Sequence, residues 1–185
     1  MLFRHPRWFR LLRTRFRRKK PASRTHHGPV WGQQSCGDLP LGRCTMKKNG
    51  CEIIAVYNAL RFLGRPVPLE ELIARYEHRG WIMAWGHLGS DPYAAGDYLA
   101  EQNLPHRVFC DYDSFAQGLE NGKVFVLSYW LKDSLLSGAH GVTLYRSEGG
   151  LWVSNLYNSQ QSPRKIDSLW DITTPKRFIV GYEVQ

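Results

Sequence analysis

The hydrophobic pattern of this chain changes period once, and that change constrains its fold more than any other feature. Between residues 51 and 103 apolar side chains recur at helical spacing; from residue 106 they fall in short runs separated by turn residues. The spacing predicts helices over 51–63, 69–79 and 92–103. Gly64 ends the first, and Pro66-Val67-Pro68 enforces an extended break before the second. Glu70 and Glu71 fall in the second helix's first turn, where carboxylates suit the dipole, and Pro92 suits the first turn of the third. Residues 81–87 read as an aromatic loop. The later runs predict strands over 106–110, 124–130, 141–146, 151–156 and 177–184, with one short helix over 114–120. Glu148-Gly149-Gly150 is a hairpin turn between two of these strands. Helices first and an antiparallel sheet afterwards define an α+β class, and 185 residues suffice for one well-buried core rather than two domains.

Within this layout Cys51 stands out. It is the first residue of the first helix and directly follows the turn Asn49-Gly50. Main-chain N–H groups at a helix start lack intrahelical partners and carry partial positive charge, so they favour a thiolate there. His140 opens a strand in which Val142 and Leu144 share its face, which turns the imidazole inward at the sheet end. Asn155 lies across the hairpin on the following strand. Its side-chain carbonyl is suited to accept from one ring nitrogen and fix the tautomer whose other nitrogen faces the sulfur. Each residue alone has a plainer reading, as a small buried hydrophobe, a packed histidine or a turn former. Their joint order is that of a cysteine hydrolase.

The segment Asn49-Gly50-Cys51 running through Ile53-Ile54-Ala55-Val56-Tyr57-Asn58-Ala59-Leu60, the closing Gly64, and the later His140-Gly141-Val142 and Asn155 resemble the papain-like cysteine peptidases. The resemblance is nearest to the branch that cleaves bacteriocin leader peptides at double-glycine sites, with its stand-alone relatives, and covers about residues 45–185. It implies a papain-like fold and a bacterial peptide-processing hydrolase acting on a peptide or amide through an acyl-enzyme. Cys51 would be the nucleophile, His140 the general base and acid, and Asn155 the ring orienter. Two positions depart from the family pattern. Glu52 stands where the family commonly has Gly, and a carboxylate there opposes a nearby thiolate. Thr45 stands six residues before Cys51, where the family commonly supplies an oxyanion-hole Gln. Gln33, Gln34 and Asn49 are the alternative donors, beside the Cys51 main-chain N–H. These departures leave open a second reading: a catalytically silent papain-like module for binding or immunity at a membrane surface.

The formal charge of +9 is confined to one end. Residues 1–20 hold nine Arg and Lys and no acid, and the remainder holds sixteen bases and sixteen acids. The charge and the interleaved Trp8, Phe9, Leu11 and Leu12 read as a basic amphipathic tail for an anionic membrane surface. The neutral body offers no second basic surface to a nucleic acid. Residues 21–45, rich in Pro, Gly, Ser and His, read as an extended arm or linker, and 46–185 as the hydrolase domain. Four cysteines in a chain with an ample core, without a spanning segment or a secretory signal, indicate a reducing cytoplasmic location with peripheral membrane attachment. His26, His27, Cys36 and Cys44 match no familiar zinc spacing, and Gly86-His87-Leu88-Gly89-Ser90 lacks the setting of a phosphate loop, so no metal or cofactor is expected.

Overall fold

The computed structural model describes residues 7–15, 28–134 and 137–185. Among these the α+β class holds, with six α-helices and a six-stranded antiparallel sheet. Helix α1 (Arg7–Leu12) leads into strand β1 (Arg13–Thr14), and β2 (Pro40–Leu41), β3 (Cys44–Thr45) and α2 (Met46–Asn49) precede α3 (Cys51–Phe62). Helix α4 (Leu69–Arg79) spans the range its spacing predicts and ends on Gly80 at φ 73°. Then come β4 (Ile82–Met83), α5 (Ala94–Glu101), β5 (His106–Phe109), α6 (Tyr112–Asn121), β6 (Val124–Trp130), β7 (Ala139–Ser147), β8 (Gly150–Ser154), β9 (Arg164–Ile166) and β10 (Phe178–Val184). The large sheet runs β5-β10-β6-β7-β8-β9. Glu148 and Gly149, at φ 49° and 70°, close the β7–β8 hairpin and pair Ser147 with Gly150. Both angles are positive, as a two-residue turn of this hand requires.

Strand β6 reads as an unbroken apolar run because the sheet is covered on both faces. Val124 and Val126 pack with the first helices, whereas Phe125 and Leu127 pack with α6 and the chain after β8. Helix α3, expected to present one apolar face, is buried at every position from Glu52 to Leu60. It lies against β6 and β7. Thr143 Oγ1 donates to the Ala55 carbonyl at 2.7 Å, and Ser128 Oγ donates to Glu52 Oε2 at 2.8 Å. A Cβ on Gly141 would lie 2.8 Å from Glu52 Cα, so only glycine allows helix and strand to approach this closely.

The two N-terminal segments are integral to this body in their described parts. Residues 28–45, read as an extended arm or linker, bury Val30, Gln33, Leu39 and Leu41. Asn58 of α3 fastens them: it accepts from Val30 N–H at 2.8 Å and donates to the Val30 carbonyl at 2.7 Å and to Ser154 Oγ at 3.0 Å. Residues 7–15, expected within a basic amphipathic tail for a membrane surface, dock as well. Phe9 is 2% exposed and stacks on Trp130 at 6.2 Å, while Leu11 on the outer side stays exposed. Arg13 pairs with fully buried Asp91 at 2.7 Å and with Asp97 at 2.9 Å, and β1 pairs with β4. A charge census along the chain could not see this, because the acids that receive Arg13 lie about eighty residues away. The rest of the tail lies outside the described residues. No described helix is long and apolar enough to cross a membrane.

Arg13→Ala would strand the Asp91 carboxylate in the interior. Removing one partner of a buried pair is expected to lower stability by about 3 kcal/mol in urea unfolding. Exposed Arg10→Ala should change it by less than about 0.5 kcal/mol. Equal stability of Arg13→Ala and the parent would show that this segment is not docked.

Candidate active site

The turn at Gly50 starts a new helix at once, and this sets Cys51 half-buried at the N-terminal end of α3. Its sulfur lies 3.9 Å from the Ala139 carbonyl. Burial pushes the Cys51 thiol up, and the main-chain N–H groups of Gly141, Glu52 and Cys51 itself oppose that shift without cancelling it. The helix-start field foreseen from sequence is therefore present but outweighed by burial, and Cys51 rests as a thiol at neutral pH.

His140 is buried on β7, opposite Tyr129 of β6, whose ring meets it edge-on at 5.8 Å. Its Nε2 lies 2.5 Å from the main-chain carbonyl of Asn155. A carbonyl only accepts, so Nε2 carries the proton and Nδ1 keeps a free lone pair. Burial lowers the His140 pKa, with the Asn155 carbonyl pulling against it, so the ring is neutral near pH 7.

Asn155 thus orients the ring, but through its backbone and not through the side-chain amide expected from sequence. The physical reason is its left-handed conformation, φ 61°, which follows the end of β8 and presents the carbonyl to the imidazole. The side chain is committed elsewhere. Oδ1 accepts from Gln33 N–H at 3.0 Å, and Nδ2 donates to the Gly141 carbonyl at 3.1 Å. Asn155 N–H donates to Trp31 at 2.6 Å, so this one residue joins the arm, the hairpin and the histidine.

Cys51 and His140 line one cleft of about 460 Å³, together with Gln33, Asn49, Glu52 and Ser90. Phe9, Leu12, Met83 and Trp130 form its apolar wall. Of the proposed oxyanion donors, Gln33 and Asn49 therefore reach the cleft. Both spend their amide protons on carbonyls, Gln33 on Lys47 and Lys48 at 3.0 Å each, Asn49 on Gly86 at 2.8 Å and His87 at 3.1 Å. These bonds fix the turn that presents Cys51. Gln34 is exposed and Thr45 precedes α2; neither lines the cleft. Besides these, the start of α3, Ser90 and Lys48 line the cleft.

Glu52, the departure that opposed a thiolate on paper, is 3% exposed. Burial first, and any charge that forms on Cys51 second, hold its carboxyl well above the usual range, against the Ser128 hydrogen bond. It is a neutral acid near pH 7, and the expected repulsion is relieved by a proton. Sequence reasoning missed this role, and also Ser90 and the pairing of Cys44 Sγ with His87 Nδ1 at 3.5 Å, since 43 residues separate those two. Cys36 is buried, its thiol pushed up to about 12. Among the described residues no cluster of three or more His, Cys, Asp or Glu is arranged to hold a metal; His26 and His27 lie outside them.

Comparison with protein-family models returns no match, and no curated protein matches the chain either.

The raised carboxyl of Glu52 gives a signed expectation. Above the ordinary carboxyl range the unfolded chain releases this proton while the folded chain retains it. Stability therefore falls by roughly 1.4 kcal/mol per pH unit until the folded group ionises. Glu52→Gln lacks that term. It should match the parent near pH 4 and exceed it progressively toward pH 8 in thermal or urea unfolding. A stability difference that does not change with pH would place Glu52 in its ionised form.

Proposed function

We propose that the protein is a thiol hydrolase of papain-like architecture that cleaves a peptide or amide bond through an acyl-enzyme. One observation carries the reading: the His140 ring is held with Nε2–H on the Asn155 carbonyl, which leaves Nδ1 its lone pair, and His140 lines the same cleft as Cys51. The likeness of Asn49-Gly50-Cys51 and His140-Gly141 to the leader-peptide-cleaving branch supports a peptide as substrate and a bacterial processing role.

In this mechanism Nδ1 takes the Cys51 proton as the sulfur attacks the scissile carbonyl carbon. The oxyanion is met by the N–H groups at the start of α3. As the C–N bond breaks, the imidazolium returns the proton to the leaving amine. Water then enters, gives a proton to Nδ1 and attacks the thioester; the acid departs, and the sulfur recovers the proton. The Asn155 carbonyl holds the ring and stabilises its charged form at each transfer. Because thiol and imidazole both rest neutral, the proton moves with the attack and is not pre-transferred.

A second reading, a silent module for binding or immunity, is favoured by one observation. The Gln33 and Asn49 amides that would serve an oxyanion are already bonded to carbonyls. Peripheral attachment to an anionic membrane fits either reading. With Phe9 and Arg13 docked, it would rest on Leu11, Arg10 and the sequence on either side of 7–15.

The readings separate on thiol chemistry. With iodoacetamide at pH 7, mapped to individual cysteines, Cys51 labelling is expected to drop roughly tenfold or more in His140→Ala. Cys44 labelling should be unaffected by that change and should respond instead to His87→Ala. If Cys51 reacts equally with and without His140, the hydrolase reading is abandoned. Labelling that depends on His140 with no turnover of any peptide would favour the silent module.

A further inference from the structure

Phe9 and Leu12 line the Cys51 cleft, yet they come from α1, at the opposite end of the chain from the strands that carry Trp130 and His140. What α1 and β1 cover is a groove in the body. Phe9 stacks on Trp130 with the ring planes 12° apart and meets Tyr93 edge-on at 5.8 Å. Four residues further on, Arg13 pairs with Asp91 and Asp97. Trp130 itself lines the cleft, so the covered surface continues it, aromatic at Trp130 and Tyr93 and acidic at Asp91 and Asp97. The chain's own segment fills that continuation.

The ties that hold this segment are of a kind that open together. Strand β1 pairs with β4 over two residues, too short a ladder to hold by itself. Thr14 Oγ1 accepts from Trp85 N–H at 2.9 Å and donates to the Ile82 carbonyl at 3.3 Å. The Arg13 pair resists loss of one partner more than it resists separation. Arg13→Ala leaves Asp91 uncompensated in the interior, whereas lifting the segment carries the guanidinium into water and uncovers the carboxylate as well. An element held in this way opens locally while the core stays folded. Helix α3 and strand β6, buried along nearly their whole length, have no such route.

We propose that residues 9–14 form a reversible strap that closes one end of the Cys51 cleft and is displaced by an occupant reaching the Trp130 wall. This rests on the cleft being the site of the thiol chemistry proposed above. Strap and occupant compete for the same surface, so each weakens the hold of the other by the same factor.

Hydrogen exchange read by mass spectrometry tests it on the full chain carrying Cys44→Ser and Cys110→Ser, which leaves Cys51 as the accessible thiol. Methyl and benzyl methanethiosulfonate place a small or a bulky apolar group on Cys51 through the same disulfide bond. Before modification, amides of residues 9–14 are expected to exchange at least about tenfold faster than those of β6. The benzyl adduct should speed exchange in 9–14 by a further factor of about ten, the methyl adduct should not, and β6 should respond to neither. In reverse, Phe9→Ala should raise the benzyl-to-methyl rate ratio at Cys51 about tenfold. Residues 9–14 protected as strongly as β6, or exchange there that ignores the benzyl adduct, overturn the strap. His140-dependent reaction with the methyl reagent would then leave the hydrolase reading standing. A Cys51 that reacts with neither reagent, in the parent and in Phe9→Ala alike, overturns both. The exchange comparison does not depend on whether Phe9→Ala folds.

Discussion

The hydrogen bond from His140 Nε2–H to the Asn155 carbonyl is the constraint on which the site depends. Without it a buried imidazole has two interchangeable tautomers and no fixed orientation. The bond exists because the β7–β8 hairpin is held in one register and because Asn155 adopts a left-handed conformation at its exit. That conformation is secured in turn by three bonds to Asn155 from or to Trp31, Gln33 and Gly141. The arm, the sheet and the cleft are thus parts of one device. Gln33 extends it by tying the arm to the end of α2, one residue before the turn that presents Cys51.

The other half of the site is a conflict between burial and charge. Helix α3 is enclosed on every side, and its first turn carries a thiol and a carboxyl in succession. A solvent-exposed helix start would favour both as anions. Enclosure reverses this: Cys51 and Glu52 are both pushed up, and His140 is pushed down. The consequence is that burial favours the uncharged forms of the thiol, the carboxyl and the imidazole. Gly141 makes the enclosure possible, since any larger residue would force Glu52 and its helix off the strand.

Local physics made the elements legible in the sequence. Helix α4 is bounded by Pro68 and Gly80, and the hairpin by Glu148 and Gly149, all signals that act within a few residues. Cys51 and His140 were legible for the same reason, as a thiol at a helix start and an imidazole at a strand start. What escaped was long-range. The Arg13–Asp91 pair, the Gln33–Asn155 link and the Cys44–His87 contact join residues with no pattern between them. The part played by Asn155 was half legible: the residue could be chosen by order, but whether side chain or backbone meets the ring depends on φ. Glu52 read as a charge because sequence gives no burial.

The most direct test is the tautomer of His140, read by long-range ¹H–¹⁵N correlation on the uniformly labelled protein between pH 7 and 8. The structure requires a neutral ring protonated at Nε2, with Nδ1 unprotonated and the proton in a strong hydrogen bond. A ring protonated at Nδ1 and not at Nε2, or an imidazolium across this range, would contradict the account, because Nδ1 would then have no lone pair to take a proton.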